Sequence, residues 1–147
     1  MKPMRIHHIG VVLPTMEKVK NVMDLLGLEV DYTGYVKSYS ADLVFTKYGE
    51  HDSPIEFIIP REGVLTEFNN GKGGIAHIAF EVDDVEAVRA EFAAKGMEML
   101  EEKAVEGTSD LMVNFLRPKY SEGLLFEFVQ TVGPIDRNHK IDRPKGV

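Results

Sequence analysis

The stretch that decides the fold is Gly74-Ile75-Ala76-His77-Ile78-Ala79-Phe80-Glu81-Val82-Asp83-Asp84. Gly74–Val82 is apolar and β-branched around one histidine and one glutamate, which predicts a strand. Asp83 and Glu86 then have the spacing of a capping box, and Val85, Val88 and Phe92 form an apolar helical stripe behind it. Gly96 falls just past that helix, where a left-handed residue is commonly glycine. Working outward, the same passage occurs earlier in the chain. His8-Ile9 answers His77-Ile78, and at one constant offset Glu17 meets Glu86, Val19 meets Val88, Gly27 meets Gly96 and Glu29 meets Glu98. Pro54-Ile55-Glu56-Phe57 then answers Leu125-Phe126-Glu127-Phe128. Shared order and nearly constant spacing mark two copies of one supersecondary unit.

Each copy reads as βαβββ. In the first, Arg5–Val12 is a strand, Thr15 an N-cap, and Met16, Val19, Met23 and Leu26 one helical face. The three following strands are expected at Leu28–Tyr32, Ala41–Tyr48 and Pro54–Ile59, and in the second copy at Met97–Glu101, Leu111–Leu116 and Leu124–Gln130. Module 1 covers about residues 5–60 and module 2 about 74–131. The linker 61–73 holds a short helix around Val64, Leu65 and Phe68, ended by Gly71 and Gly73. Residues 132–147 read as an extended or disordered tail. The expected fold is α+β, with two tandem βαβββ modules.

The repeat also sorts the five histidines. His8 and His77 lie in the first strand of each copy, and Glu56 and Glu127 in the last, all inside apolar runs. A carboxylate buried in a strand costs several kcal/mol unless it is paired or bound to a cation. Two such acids and two imidazoles at matching places point to one shared metal site, held by His8, Glu56, His77 and Glu127. His7 is expected to face away from His8, with His51 in a loop and His139 in the tail, so these three read as ordinary polar residues.

Composition supports nitrogen and oxygen ligation. The 147 residues include no cysteine, which removes thiolate zinc sites, iron–sulfur clusters and Cys nucleophiles. Two imidazoles and two carboxylates suit Zn²⁺, Ni²⁺, Co²⁺ or Mn²⁺, one ion per chain. With 24 acidic against 17 basic residues and a net charge of −7, the chain does not read as a nucleic-acid binder. No apolar run is long enough to span a bilayer, and the start lacks a signal-peptide core, so a cytoplasmic location is expected.

The chain resembles the vicinal-oxygen-chelate superfamily, which includes glyoxalase I, methylmalonyl-CoA epimerases, extradiol dioxygenases and bleomycin or fosfomycin resistance proteins. The resemblance covers about residues 6–131. It is carried by His8-Ile9-Gly10-Val11-Val12, by Gly74–Asp84, by Phe115-Leu116-Arg117-Pro118-Lys119 and by Gly123-Leu124-Leu125-Phe126-Glu127-Phe128. Asp52-Ser53-Pro54 with Glu56 and Pro60, and the Pro118-Lys119 hairpin, lean toward the epimerase branch. The resemblance implies that the two tandem βαβββ modules form a curved mixed sheet around a metal cleft, and the superfamily's metal positions fall on His8, Glu56, His77 and Glu127.

The resemblance implies a divalent ion that chelates two substrate oxygens and stabilises an enediolate as a proton leaves the carbon α to a carbonyl. Glu127 is then the base, and Glu56 the second metal-side carboxylate of a glyoxalase-type reaction. It also implies a small-molecule substrate, an acyl-CoA or a glutathione adduct, and a homodimer. One position departs from the epimerase pattern. Alignment through Gly49 puts Ser38 where epimerases carry a second catalytic Glu, and no acid lies between Asp31 and Asp42. A glyoxalase I-type lyase needs no third acid and is the alternative. A dioxygenase and a small-molecule binding or resistance protein are further alternatives on the same scaffold. Lys72, Arg117, Lys119 and the basic tail residues Arg137, Lys140, Arg143 and Lys145 are candidates for phosphate contact, and Tyr32, Tyr35, Tyr39 and Tyr48 for the pocket lining.

Overall fold

The computed structural model describes residues 1–2 and 4–137. Most of the expected tail, with His139, Lys140, Arg143 and Lys145, lies outside the described residues. The elements run β1 (Ile6–Val12), α1 (Met16–Leu26), β2 (Val30–Val36), β3 (Ala41–Thr46), β4 (Ile55–Pro60), β5 (Gly74–Glu81), α2 (Val85–Ala94), β6 (Val105–Glu106), β7 (Leu111–Leu116) and β8 (Phe126–Thr131). This is the α+β pattern of a strand, a helix and three strands, given twice. Short 3₁₀ turns occupy Lys37–Tyr39, Val64–Glu67 and Pro118–Tyr120, the second of them in the linker.

The chain packs as two compact units, and the division cuts through β1 and β5 rather than between the repeats. Of the described residues, one unit joins those of Met1–Ile9 to Ala76–Ile135, and the other holds Gly10–Ile75 with Asp136 and Arg137.

In the unit of Gly10–Ile75, α1 starts on Thr15, whose side chain accepts from the Lys18 N–H, and ends on Gly27 at φ 67°. Leu28 donates its N–H to the Met23 carbonyl at 2.8 Å, a helix-ending bond. Leu28 therefore serves the cap, and the strand expected there begins at Val30 and runs on to Val36. β2, β3 and β4 form antiparallel pairs, with Tyr32 across from Phe45 and Phe45 across from Glu56. Val19 and Met23 of α1 pack on Val44, Phe57 and Ile59, the face of β3 and β4 opposite to Glu56. Gly73 sits at φ 78°, and a Cβ there would overlap the Val12 carbonyl, so this close approach admits only glycine.

In the unit of Met1–Ile9 and Ala76–Ile135, the sheet is mixed. β5 pairs β8 in parallel, β8 pairs β7 antiparallel, and β7 pairs the short β6. Glu81 donates its N–H to the Arg5 carbonyl at 2.9 Å, at the start of β1. One face packs under α2 through Val88, Phe92, Leu116 and Phe128, with Phe80 and Phe126 beside them. The other face carries Ala79, Leu111, Val113 and Val129. With both faces covered, β8 reads as a nearly continuous apolar run, which is why Glu127 stands out in it.

The N-cap of α2 is Asp84, not Asp83: its carboxylate accepts from the N–H groups of Glu86 and Ala87. Asp83 instead pairs with Lys2 at the surface. The strand expected at Met97–Glu101 is only a bridge between Met99 and Leu116. Asn114 Oδ1 accepts the Glu101 N–H at 3.0 Å and its Nδ2 donates to the Glu101 carbonyl, so a side chain replaces the ladder. Pairing resumes later, at Val105 opposite Val113.

Candidate metal centre

Three of the four expected ligands meet in one unit. His8 sits on β1, His77 on β5 and Glu127 on β8, and all three are buried. Sheet geometry explains the meeting. Glu127 is the register partner of Ala79, and His77 lies two residues before Ala79, so His77 and Glu127 share a face. That face is turned away from α2, whose contacts are made by Phe126 and Phe128 on the other side.

The ring nitrogens Nε2 of His8 and His77 lie 3.1 Å apart. Glu127 Oε1 is 3.2 Å from His8 Nε2 and 3.9 Å from His77 Nε2. Ligand bonds of about 2.1 Å place neighbouring donor atoms about 3.0 to 3.4 Å apart around a single ion. The observed triangle is close to that spacing. Its donor set, two imidazoles and a carboxylate with no sulfur, fits a divalent ion such as Zn²⁺, Ni²⁺, Co²⁺ or Mn²⁺.

Burial sets the electrostatics of the trio. It drives the His77 pKa down to about 4, against the pull of Glu127 and with the help of His8. It pushes Glu127 up to about 7, opposed by His77. Neutral imidazole is the ligating form, and a carboxyl that burial makes reluctant to ionise gains from a cation beside it. Phe115 walls the site: it is the register partner of Glu127, and its ring meets that of His77 edge to face with centroids 5.7 Å apart.

Glu56, the fourth expected ligand, lies on β4 in the other unit. It is buried, on the face away from α1, and across from Phe45. Each repeat thus sets its strand glutamate opposite a phenylalanine. Ser38, which the alignment through Gly49 sets at the expected acid position, lies in the 3₁₀ turn Lys37–Tyr39. Asp42 forms a buried ion pair with Arg61, at 2.8 Å from Nη2 and 3.3 Å from Nε, and Arg61 lies over the Tyr35 ring at 4.2 Å. Tyr32 stacks on Phe45 with centroids 4.6 Å apart, so packing accounts for its aromatic character.

Sequence reasoning missed His7. It was expected on the far side of β1, yet its Nδ1 lies 2.8 Å from Nδ1 of His8. Nδ1 sits near Cβ, so adjacent residues can bring these atoms together beside the strand while their rings diverge, here to 5.1 Å between centroids. Burial first, then His8 and Arg5, lower the His7 pKa to about 4 against the pull of Glu81. The doublet His7-His8 was the only sequence signal.

A paired βαβββ scaffold with two imidazoles and a carboxylate converging from its strands is the arrangement of glyoxalase-like enzymes. The chain belongs to the Glyoxalase/Bleomycin resistance protein/Dioxygenase superfamily, whose sequence profile matches residues 7–115. Among curated proteins it is 28% identical to mouse mitochondrial methylmalonyl-CoA epimerase over 129 residues, covering 86% of this chain and 72% of that protein. The human mitochondrial methylmalonyl-CoA epimerase is 27% identical over 129 residues, covering 86% and 73%. Among solved structures, a variant of Streptomyces coelicolor methylmalonyl-CoA epimerase in complex with 2-nitronate-propionyl-CoA superposes with a TM-score of 0.80 at 26% identity, covering 90% of this chain and 100% of that one. These relatives make the chain an enzyme of epimerase-like kind. Among the described residues, no helix is long and apolar enough to cross a membrane.

Proposed function

We propose that this enzyme is a metal-dependent isomerase that moves a proton at the carbon α to the thioester carbonyl of an acyl-CoA, as methylmalonyl-CoA epimerases do. The observation that carries the reading is the buried triangle of His8 Nε2, His77 Nε2 and Glu127 Oε1. His8, His77 and Glu127 would hold the ion. Glu56, buried and equivalent to Glu127 in the repeat, belongs to the other unit. When bound, a divalent ion supplies positive charge to the carbonyl oxygen on which negative charge gathers as the proton leaves.

The remaining chemistry belongs to the side chains. Glu127 is the base that takes the α-proton: it is the carboxylate of the triangle, and a cation beside it would keep it ionised at neutral pH. Phe115 keeps water from its flank, and the depressed His77 pKa keeps that ring neutral at the pH of turnover.

A second reading, a glyoxalase I-type lyase acting on a glutathione hemithioacetal, is favoured by the fate of the third acid. Ser38 replaces it, and Asp42 is tied to Arg61. A glyoxalase-type proton transfer at Glu127 needs no such third acid. The two readings separate by NMR-detected uptake of solvent deuterium at the α-carbon, using protein loaded in turn with Zn²⁺, Co²⁺, Ni²⁺ or Mn²⁺. Exchange into methylmalonyl-CoA or a related acyl-CoA supports the first reading. Turnover of hemithioacetal alone replaces it with the second, and inertness toward both classes overturns each.

A further inference from the structure

The chemistry above leaves one buried titratable group at the centre unused, the imidazole of His7. Its Nδ1 is 2.8 Å from Nδ1 of His8, a distance at which one nitrogen donates and the other accepts. His8 turns its other nitrogen, Nε2, to His77 and Glu127. A neutral imidazole carries a single N–H. When His8 Nε2 offers its lone pair to a cation, the ring proton sits on Nδ1, facing His7 Nδ1. His7 must then present a lone pair there and carry its own proton on Nε2.

We propose that His7 is a positioning residue for the metal centre: it accepts the Nδ1–H of His8 and so fixes the tautomer and ring angle in which His8 Nε2 faces the ion. The assignment rests on the metal-site reading above. Ligating imidazoles are usually anchored through their second nitrogen by a carboxylate, a carbonyl or water. Here the anchor is the preceding residue of the same strand. As a neutral acceptor it orients the ligand without adding negative charge behind it. The ion therefore keeps more of its pull on substrate oxygen than a carboxylate anchor would leave it.

The test compares wild-type full chain with His7→Phe, which keeps a ring and removes the acceptor, and His7→Asn, whose Oδ1 stands close to the place of Nδ1. Zn²⁺ and Co²⁺ affinities come from competition with a chromophoric chelator, and thermal unfolding of the metal-free proteins is followed alongside. His7→Phe is expected to weaken both ions about 10–100-fold, and His7→Asn to recover most of the loss. In the zinc-loaded wild type, imidazole ¹⁵N shifts should place the proton on Nδ1 of His8 and on Nε2 of His7. Unchanged affinity in His7→Phe overturns the assignment. So does a His7→Asn loss as deep as that of His7→Phe, which would make the effect one of packing. A His8 proton found on Nε2 overturns it even where His7→Phe fails to fold. A wild type that binds neither ion overturns the metal site itself, whereas a binding wild type with an indifferent His7→Phe overturns this assignment alone.

Discussion

His8 Nε2 stands 3.2 Å from Glu127 Oε1, an imidazole from the first strand and a carboxylate from the last, with side chains 2% and 9% exposed. Neither group is stable there as an isolated charge, and each is useful there as a ligand.

Removing the base and removing the ligands should be separable. Glu127→Gln keeps shape and loses the proton acceptor, so turnover should fall at least about 100-fold, the usual worth of a general base. Its metal content should fall only partly. His8→Ala and His77→Ala should each lose most bound metal. Metal analysis beside deuterium exchange checks all three, and a fully active Glu127→Gln would remove that residue as the base.

Metal binding should release a proton below neutrality. Burial holds the Glu127 carboxyl protonated up to about 7 in the metal-free protein, and a protonated carboxyl cannot ligate. Below that pH the ion must expel the proton; above it the proton is already gone. Apparent affinity therefore falls as pH drops below about 7. His77, lowered to about 4, adds competition only near that pH. Calorimetry in buffers of different ionisation enthalpy should find about one proton released at pH 6 and little at pH 8.5. Equal release at both would contradict the assignment.

Asp42 should matter for stability and not for the proton transfer. Its carboxylate is buried against Arg61, and Asp42→Asn removes that charged contact. Losing one member of a buried pair costs about 3–5 kcal/mol, measurable by urea unfolding. Under conditions where the variant remains folded, kcat should stay within a few-fold of wild type. A loss of about 100-fold would instead make Asp42 the second acid.

The cap of α2 gives a sharp comparison of neighbours. Asp84 accepts two helix N–H groups, so Asp84→Ala should cost about 1 kcal/mol. Among the described residues Asp83 makes an exposed pair with Lys2, and Asp83→Ala should fall within about 0.5 kcal/mol of wild type. Equal losses would restore Asp83 as a capping residue.

Sequence by itself determined the βαβββ repeat, the α1 cap at Thr15 and the left-handed glycines Gly27 and Gly96, because periodicity and local backbone chemistry need only near neighbours. It also singled out His8, Glu56, His77 and Glu127, since a polar residue in an apolar strand is visible without coordinates. Boundaries were less legible. The Asp83 cap and the Met97–Glu101 strand gave way to Asp84 and to Asn114, whose contacts compete with the local pattern.

Tertiary structure alone decided three things. It set β8 beside β5 in parallel register, which puts Glu127 on the face of His77. It bound Asp42 to Arg61 across the sheet. It also brought His7 against His8, although alternation along a strand assigns neighbours to opposite faces. The physical reason is common to all three. Periodicity fixes the side of a strand from which a residue leaves, while the partners its polar atoms find depend on which strands become neighbours and in what register.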